Sequence, residues 1–149
     1  MGLFLKDINL KGKTALITGA TKGLGRGTAQ AIAEAGGNII AVGRNQSELN
    51  SLGKVIKKFR VNYVSLNCDV NNFIRLKRFI SKLKKLDVLV NNAGTNIPEP
   101  FLKVKKSSLE TLLNVNTKAA FNVAQLCANQ MIKLRRKQCS IINISSIFG

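Results

Sequence analysis

The stretch Thr18-Gly19-Ala20-Thr21-Lys22-Gly23-Leu24-Gly25 decides the fold. It follows the apolar run Ala15-Leu16-Ile17 and opens an Ala-rich segment in which Thr28, Ala29, Ala31, Ile32 and Ala33 suit a helix packed on a sheet. The order is strand, glycine turn, helix. A helix start offers backbone N–H groups without intrahelical partners and a positive dipole end, and glycines let the backbone approach phosphate with no Cβ between. Such a turn reads as a cradle for a dinucleotide pyrophosphate. An ordinary βα turn without a ligand is the competing reading of this segment taken alone.

Beyond the turn, Gly36-Gly37 ends the helix, Asn38–Gly43 reads as a second strand, and Arg44 stands where the adenosine ribose of a bound dinucleotide would lie. An acid at that strand end would hold a ribose 2′-hydroxyl, whereas Arg accommodates a 2′-phosphate. The expected cofactor is therefore NADP(H) rather than NAD(H), with Lys22 adding a second cation to the same phosphate. The plain alternative makes both residues solvated surface cations.

Further along, Asp69-Val70 comes after a third strand candidate (Val61 to Leu66), Asn91-Asn92-Ala93-Gly94 after a fourth, and Asn143-Ile144-Ser145-Ser146 lies in a fifth. With the T-G-x-x-x-G-x-G spacing of the turn, these motifs resemble the short-chain dehydrogenase/reductase family over essentially the whole chain. Asn92 to Phe101 and the opening Leu10-Lys11-Gly12-Lys13 are similar to sugar-acid dehydrogenases and 3-oxoacyl carrier-protein reductases. The alternation of strands and helices predicts an α/β fold with helices on both faces of a parallel sheet. The resemblance makes this a Rossmann-type, doubly wound sheet of strand order 3-2-1-4-5.

The resemblance also implies roles for individual residues. Thr18, Gly19, Thr21, Lys22, Gly23, Leu24 and Gly25 would form the cofactor turn. Asp69 would bond the adenine amino group, Val70 would line the adenine pocket, and Asn91 would brace the sheet beside the adenosine. Ala93 would be a further cofactor-binding residue, and Gly94 would let the backbone pass close to the cofactor. Asn116 would be the structural and proton-relay Asn, and Ser146 would orient a substrate carbonyl. The implied reaction is hydride transfer between nicotinamide and a carbonyl or secondary alcohol, on a small or carrier-linked substrate, in a homo-oligomer.

Taken residue by residue, Leu109, Leu112, Leu113, Ala120, Val123, Ala124 and Cys127 form one apolar stripe of a helix beginning near Ser107, with Asn116 inside the stripe. A polar side chain there needs a partner, and an Asn satisfied by neighbouring backbone is the bland reading. Ser145 and Ser146 also suit a turn or cap. Reductases of the family use a Tyr-x-x-x-Lys after the serine strand. Here Gly149 is the last residue, and four positions after the single tyrosine, Tyr63, stands Asn67. The expectation is one dinucleotide-binding domain over residues 1–149, cut before the catalytic helix, with an open fifth-strand edge and little turnover of its own. A natural NADPH-binding regulator without chemistry is the alternative.

With no histidine, histidine acid–base catalysis and His-ligated metal sites are excluded, and no metal is expected. Cys68, Cys127 and Cys139 lack metal or redox spacing and suit small buried residues in a reducing, cytoplasmic setting. No apolar run approaches the roughly 18 residues a membrane span needs. The start, Met1-Gly2-Leu3-Phe4-Leu5-Lys6, is too short in its apolar core for a signal peptide, and Lys6 breaks a myristoylation motif.

The net charge of +17, from 24 Lys+Arg against 7 Asp+Glu, is not something a reductase requires. It supports a competing reading as a binder of nucleic acid or an anionic surface. Against that reading, Arg75, Arg78, Lys82 and Lys85 form a stripe opposite Phe73, Leu76, Ile80 and Leu83, as on a solvated helix face, and aromatics are only 5% of residues. A narrower role is docking of an acidic carrier protein on Lys133, Arg135, Arg136 and Lys137.

Overall fold

A computed structural model describes residues 8–146, so the Met1–Lys6 reading lies outside the described residues. Five parallel strands form one sheet in the order β3-β2-β1-β4-β5: β1 Thr14–Thr18, β2 Asn38–Gly43, β3 Tyr63–Asn67, β4 Val88–Asn91 and β5 Ser140–Asn143. The expected Rossmann-type order is therefore present. Consecutive apolar residues along β1 are buried on both sides, as a central parallel strand requires.

Five α-helices accompany the sheet among the described residues: α1 Gly23–Glu34, α2 Gln46–Ile56, α3 Phe73–Ile80, α4 Lys106–Leu113 and α5 Ala120–Lys133. On one face, Ala29 and Ala33 of α1 and Leu49, Leu52 and Ile56 of α2 pack on Ile17, Ile39 and Ala41. Alanines at this spacing bring α1 close to the sheet. On the other face, Leu76 and Ile80 of α3 and Val123, Cys127 and Met131 of α5 pack on Leu16, Ile40 and Leu89. Among the described residues no helix is long and apolar enough to cross a membrane.

Three expectations need correction. The single long helix is instead two helices joined by a π-helical segment, Asn114–Ala119, so its apolar stripe does not stay on one face. An extra residue in a turn rotates the next helix by about 100°. Val123 and Cys127 are buried, while Leu109 and Leu113 are 49% and 46% exposed. Cys68 and Cys127 are buried as read, but Cys139 is exposed. The basic run after α5 is not a set of free cations either. Arg136 Nε donates at 2.8 Å to Oδ1 of Asp87, whose side chain is buried.

Strand boundaries also shift slightly. β3 begins at Tyr63 rather than Val61, where the Tyr63 ring settles against Gly53 and its hydroxyl donates to Leu49 O at 2.7 Å. β5 ends at Asn143, although Ile144 N still donates to Asn91 O at 2.9 Å.

Candidate functional site

The connection from β3 to β4 crosses β2 and β1, so the strand order reverses between β1 and β4, and a crevice opens at their carboxyl ends. The two strand ends are tied together by side chains. Thr18 Oγ1 accepts from Asn92 N and Ala93 N, each at 3.0 Å, and Asn92 Nδ2 donates to Thr18 O and Gly19 O, each at 3.1 Å. Gly19, at φ +62, brings its Cα side against Ala93; a Cβ there would lie 3.0 Å from Ala93 Cα. Gly25 has no room at all, since a Cβ would overlap Asn92 Nδ2 and Gly19 O. Glycine is thus demanded by packing of the α1 start on the β4 end.

Over this floor lies a cleft of about 530 Å³. Gly19, Thr21, Lys22 and Gly23 line it from the glycine turn, Arg44 from the end of β2, Asp69 and Val70 from the end of β3, and Ala93 and Gly94 from the end of β4. Gly23, itself a lining residue, differs from Gly25: at φ +49 a Cβ there would meet nothing within 4 Å. The α1 N-terminus has no side-chain cap and no acid in its first turn. Its leading N–H groups therefore remain available to an anion. Volume, glycine backbone and free donors together fit a nucleotide pyrophosphate.

The cations at the cleft already have acidic neighbours. Lys22 Nζ lies 2.9 Å from Glu48 Oε1, and this bond to Lys22 holds the Glu48 carboxyl below the usual carboxylate range. Arg44 Nη1 stands 3.8 Å from Asp69 Oδ2, with the Arg44 side chain 79% exposed. Asp69 Oδ1 meanwhile accepts from Asn71 N at 2.8 Å. Burial pushes the neighbouring Cys68 thiol up from its ordinary value.

The remaining expected residues sit apart from the cleft lining. Thr18, Leu24 and Gly25 belong to its foundation or rim, with Leu24 exposed. Asn91 lies below, buried between β4, β5 and α5: its Nδ2 donates to Ala120 O and Asn143 Oδ1, each at 3.0 Å. Asn116, in the π-helical segment, clasps the loop after β4 at two points, accepting from Thr95 N and donating to Thr95 O, each at 2.9 Å. Ser146 comes just after β5, whose register pairs Asn143 with Asn91. Sequence reading missed Glu48, Asn45 and Thr111, which also line the cleft. Only Asn45 carried a local signal, since its side chain caps α2 by accepting from Glu48 N at 3.2 Å.

The family model for short chain dehydrogenases matches residues 13–149. The chain belongs to the short-chain dehydrogenase family. Among relatives of this family, it is 38% identical over 142 residues to 3-oxoacyl-(acyl-carrier-protein) reductase of Rickettsia conorii, a match covering 95% of this chain and 57% of that protein. It is 38% identical over 140 residues to L-xylulose reductase of Mesocricetus auratus, covering 94% and 55%. The crystal structure of a short-chain type dehydrogenase/reductase from Mycobacterium marinum superposes with a TM-score of 0.88 at 27% identity, over 99% of this chain and 60% of that one. This short-chain dehydrogenase chain thus spans a little over half the length of the curated relatives it matches.

Proposed function

We propose that residues 1–149 are the cofactor-binding domain of an NADP(H)-dependent oxidoreductase, acting on a carbonyl or secondary alcohol. The observation that carries the cofactor choice is Arg44 at the β2 end: an exposed guanidinium over the cleft where an acid would hold a ribose 2′-hydroxyl. Backbone N–H groups from Gly23 onward would hold the pyrophosphate, Asp69 and Val70 the adenine, and Arg44 the 2′-phosphate. When bound, the nicotinamide would supply or accept the hydride. Ser146 would hold the substrate oxygen, and Asn116 would fix the β4 loop against which the cofactor lies.

Proton transfer to the carbonyl oxygen calls for a Tyr-x-x-x-Lys that Tyr63 does not provide, because its hydroxyl is spent on Leu49 O away from the cleft. We take that pair to come from further chain, consistent with the larger size of the relatives. The 149-residue chain is then expected to bind NADPH without oxidising it in the presence of a ketone.

Titration with NADPH and NADH tests the reading. Arg44→Ala should weaken NADPH by about tenfold, or about 1–2 kcal/mol for a charge-assisted bond, and leave NADH unchanged. Equal loss for both cofactors would refute the 2′-phosphate role. For a carrier-linked substrate, the docking cations are Lys133, Arg135 and Lys137, since Arg136 is engaged with Asp87. Reversing Arg135 and Lys137 in a longer, active protein should slow carrier-linked turnover and spare small ketones; equal slowing would refute docking there.

A further inference from the structure

One dense run of the positive charge that cofactor binding does not use lies on a single segment. Phe73–Lys85 carries six cations and no acid. Among the described residues none of the six is in an ion pair, because the four ion pairs present involve Lys22, Arg44, Lys105 and Arg136. The acids that flank it in sequence, Asp69 and Asp87, already face Arg44 and Arg136.

Beside this segment runs a second groove, of about 540 Å³, between the outer side of α3 and β3. Arg75, Arg78 and Lys82 supply its charge, and Leu66, Ile74 and Phe79 its apolar surface. Ile74 is 73% exposed, which is unusual for an isoleucine flanked by solvated cations and marks apolar surface without a cover.

The strand bordering the groove has a free edge. β3 pairs with β2 alone. Asn62 O accepts from Ile39 N, and Cys68 N donates to Gly43 O, so even-numbered residues turn their backbone groups toward β2. The N–H and C=O groups of Tyr63, Ser65 and Asn67 therefore lie on the outer edge, available to another chain.

We propose that the groove along α3 and the β3 edge is a docking site for an extended acidic segment of a partner protein. Such a segment would add to the sheet through main-chain hydrogen bonds, place carboxylates on Arg75, Arg78 and Lys82, and set apolar side chains against Leu66, Ile74 and Phe79. A single-stranded nucleic acid satisfies the cations but brings no row of amides to the β3 edge, and a single aromatic, Phe79, lines the groove for stacking. A flat anionic membrane does not fill a concave groove. The site is separate from the cofactor cleft, with which it shares no lining residue.

The test is fluorescence anisotropy of a fluorescein-labelled Glu-Val repeat peptide with the whole chain, with a Lys-Val repeat as control. The Glu-Val peptide should bind. The triple variant Arg75→Glu, Arg78→Glu, Lys82→Glu should weaken it by about tenfold or more while NADPH titration stays unchanged. A Glu-Val peptide N-methylated at alternate residues, which has lost half of its donors, should weaken to a similar degree on the unaltered protein. Unchanged affinity in the triple variant, or for the N-methylated peptide, would overturn the proposal. So would tighter binding of an oligothymidine or of phosphatidylserine vesicles that the same variant abolishes.

Discussion

Gly23 and Gly25 sit two residues apart in one turn and are held glycine for opposite reasons. At Gly25 a side chain collides with protein, namely Asn92 Nδ2 and Gly19 O, both part of the bonding that closes β1 onto β4. Gly25→Ala should therefore cost about 1–3 kcal/mol of stability, as overpacking does, read as a lower urea midpoint. At Gly23 the Cβ direction is open, so Gly23→Ala meets no protein atom and carries only the left-handed backbone cost of about 1 kcal/mol. Its larger effect should be on NADPH titration. Equal stability losses with equal cofactor binding would contradict this division. The cysteines divide in a similar way. Burial pushes the Cys127 thiol up to about 12, whereas Cys139 is exposed. Alkylation of the native protein at pH ~8 should modify Cys139 first and leave Cys127 untouched, as peptide mapping would reveal. Native Cys127 keeps its proton while the unfolded thiol ionises above about pH 9, so stability should fall as pH rises from about 9 through about 12. Cys127→Ala should flatten that alkaline slope even if it lowers overall stability.

Asp87 ties several elements together at the amino ends of the central strands. Its backbone N donates to Thr14 O, and its carboxylate accepts from Thr14 N, both at 2.9 Å, while Ser140 N donates to its carbonyl at 2.9 Å. Arg136, just beyond α5, completes the junction from a side chain 29% exposed. Removing one partner leaves a buried charge alone, so Arg136→Ala should destabilise by about 2–4 kcal/mol, discounted for the exposed side of the arginine. Adding Asp87→Asn should restore part of the loss; a double variant no more stable than Arg136→Ala would refute the charge-burial explanation. This junction was not legible in the sequence, because its two members lie 49 positions apart and each looks like an ordinary surface ion. The turn, the alternation of strands and helices and the glycine positions were legible, because they depend on local periodicity and on backbone conformations that few residues adopt, whereas the strand order came only with the family resemblance. The π-helical segment at Asn114–Ala119 was not. Its sequence keeps helical spacing, and the extra residue accompanies a tertiary clasp between Asn116 and Thr95 that no local pattern announces. Within the cleft, residues from strand ends were readable, while Glu48 was hidden because its place depends on how α2 packs. Glu48→Gln should release Lys22 and tighten NADPH severalfold; unchanged affinity would mean Lys22 does not reach the phosphates.

At the scale of the molecule, charge rather than packing sets the behaviour in salt. The two apolar layers keep Leu16, Ile17, Leu49, Leu52 and Leu89 fully buried, while β5 stays exposed; contacts between apolar groups, buried or not, offer little that ionic strength can change. The surface is another matter, with 24 cations facing 7 acids and four of those acids already paired. Folding brings these like charges closer than they lie in the unfolded chain, and the repulsion opposes the compact state. Raising NaCl from about 0.01 M to about 0.15 M shortens the screening length from about 30 Å to about 8 Å, less than the width of the domain. A relief of about 1 kcal/mol corresponds to a Tm higher by about 3 °C for a chain of this size. Exposed ion pairs such as Lys22–Glu48 weaken in the same salt, but such pairs contribute little and there are too few among the described residues to reverse the sign. Charge reversal of Arg75, Arg78 and Lys82 lowers the net charge from +17 to +11 and should shrink the salt-dependent rise. A Tm that is flat or falls between the two salt concentrations would mean that the cations are not repelling one another in the folded chain.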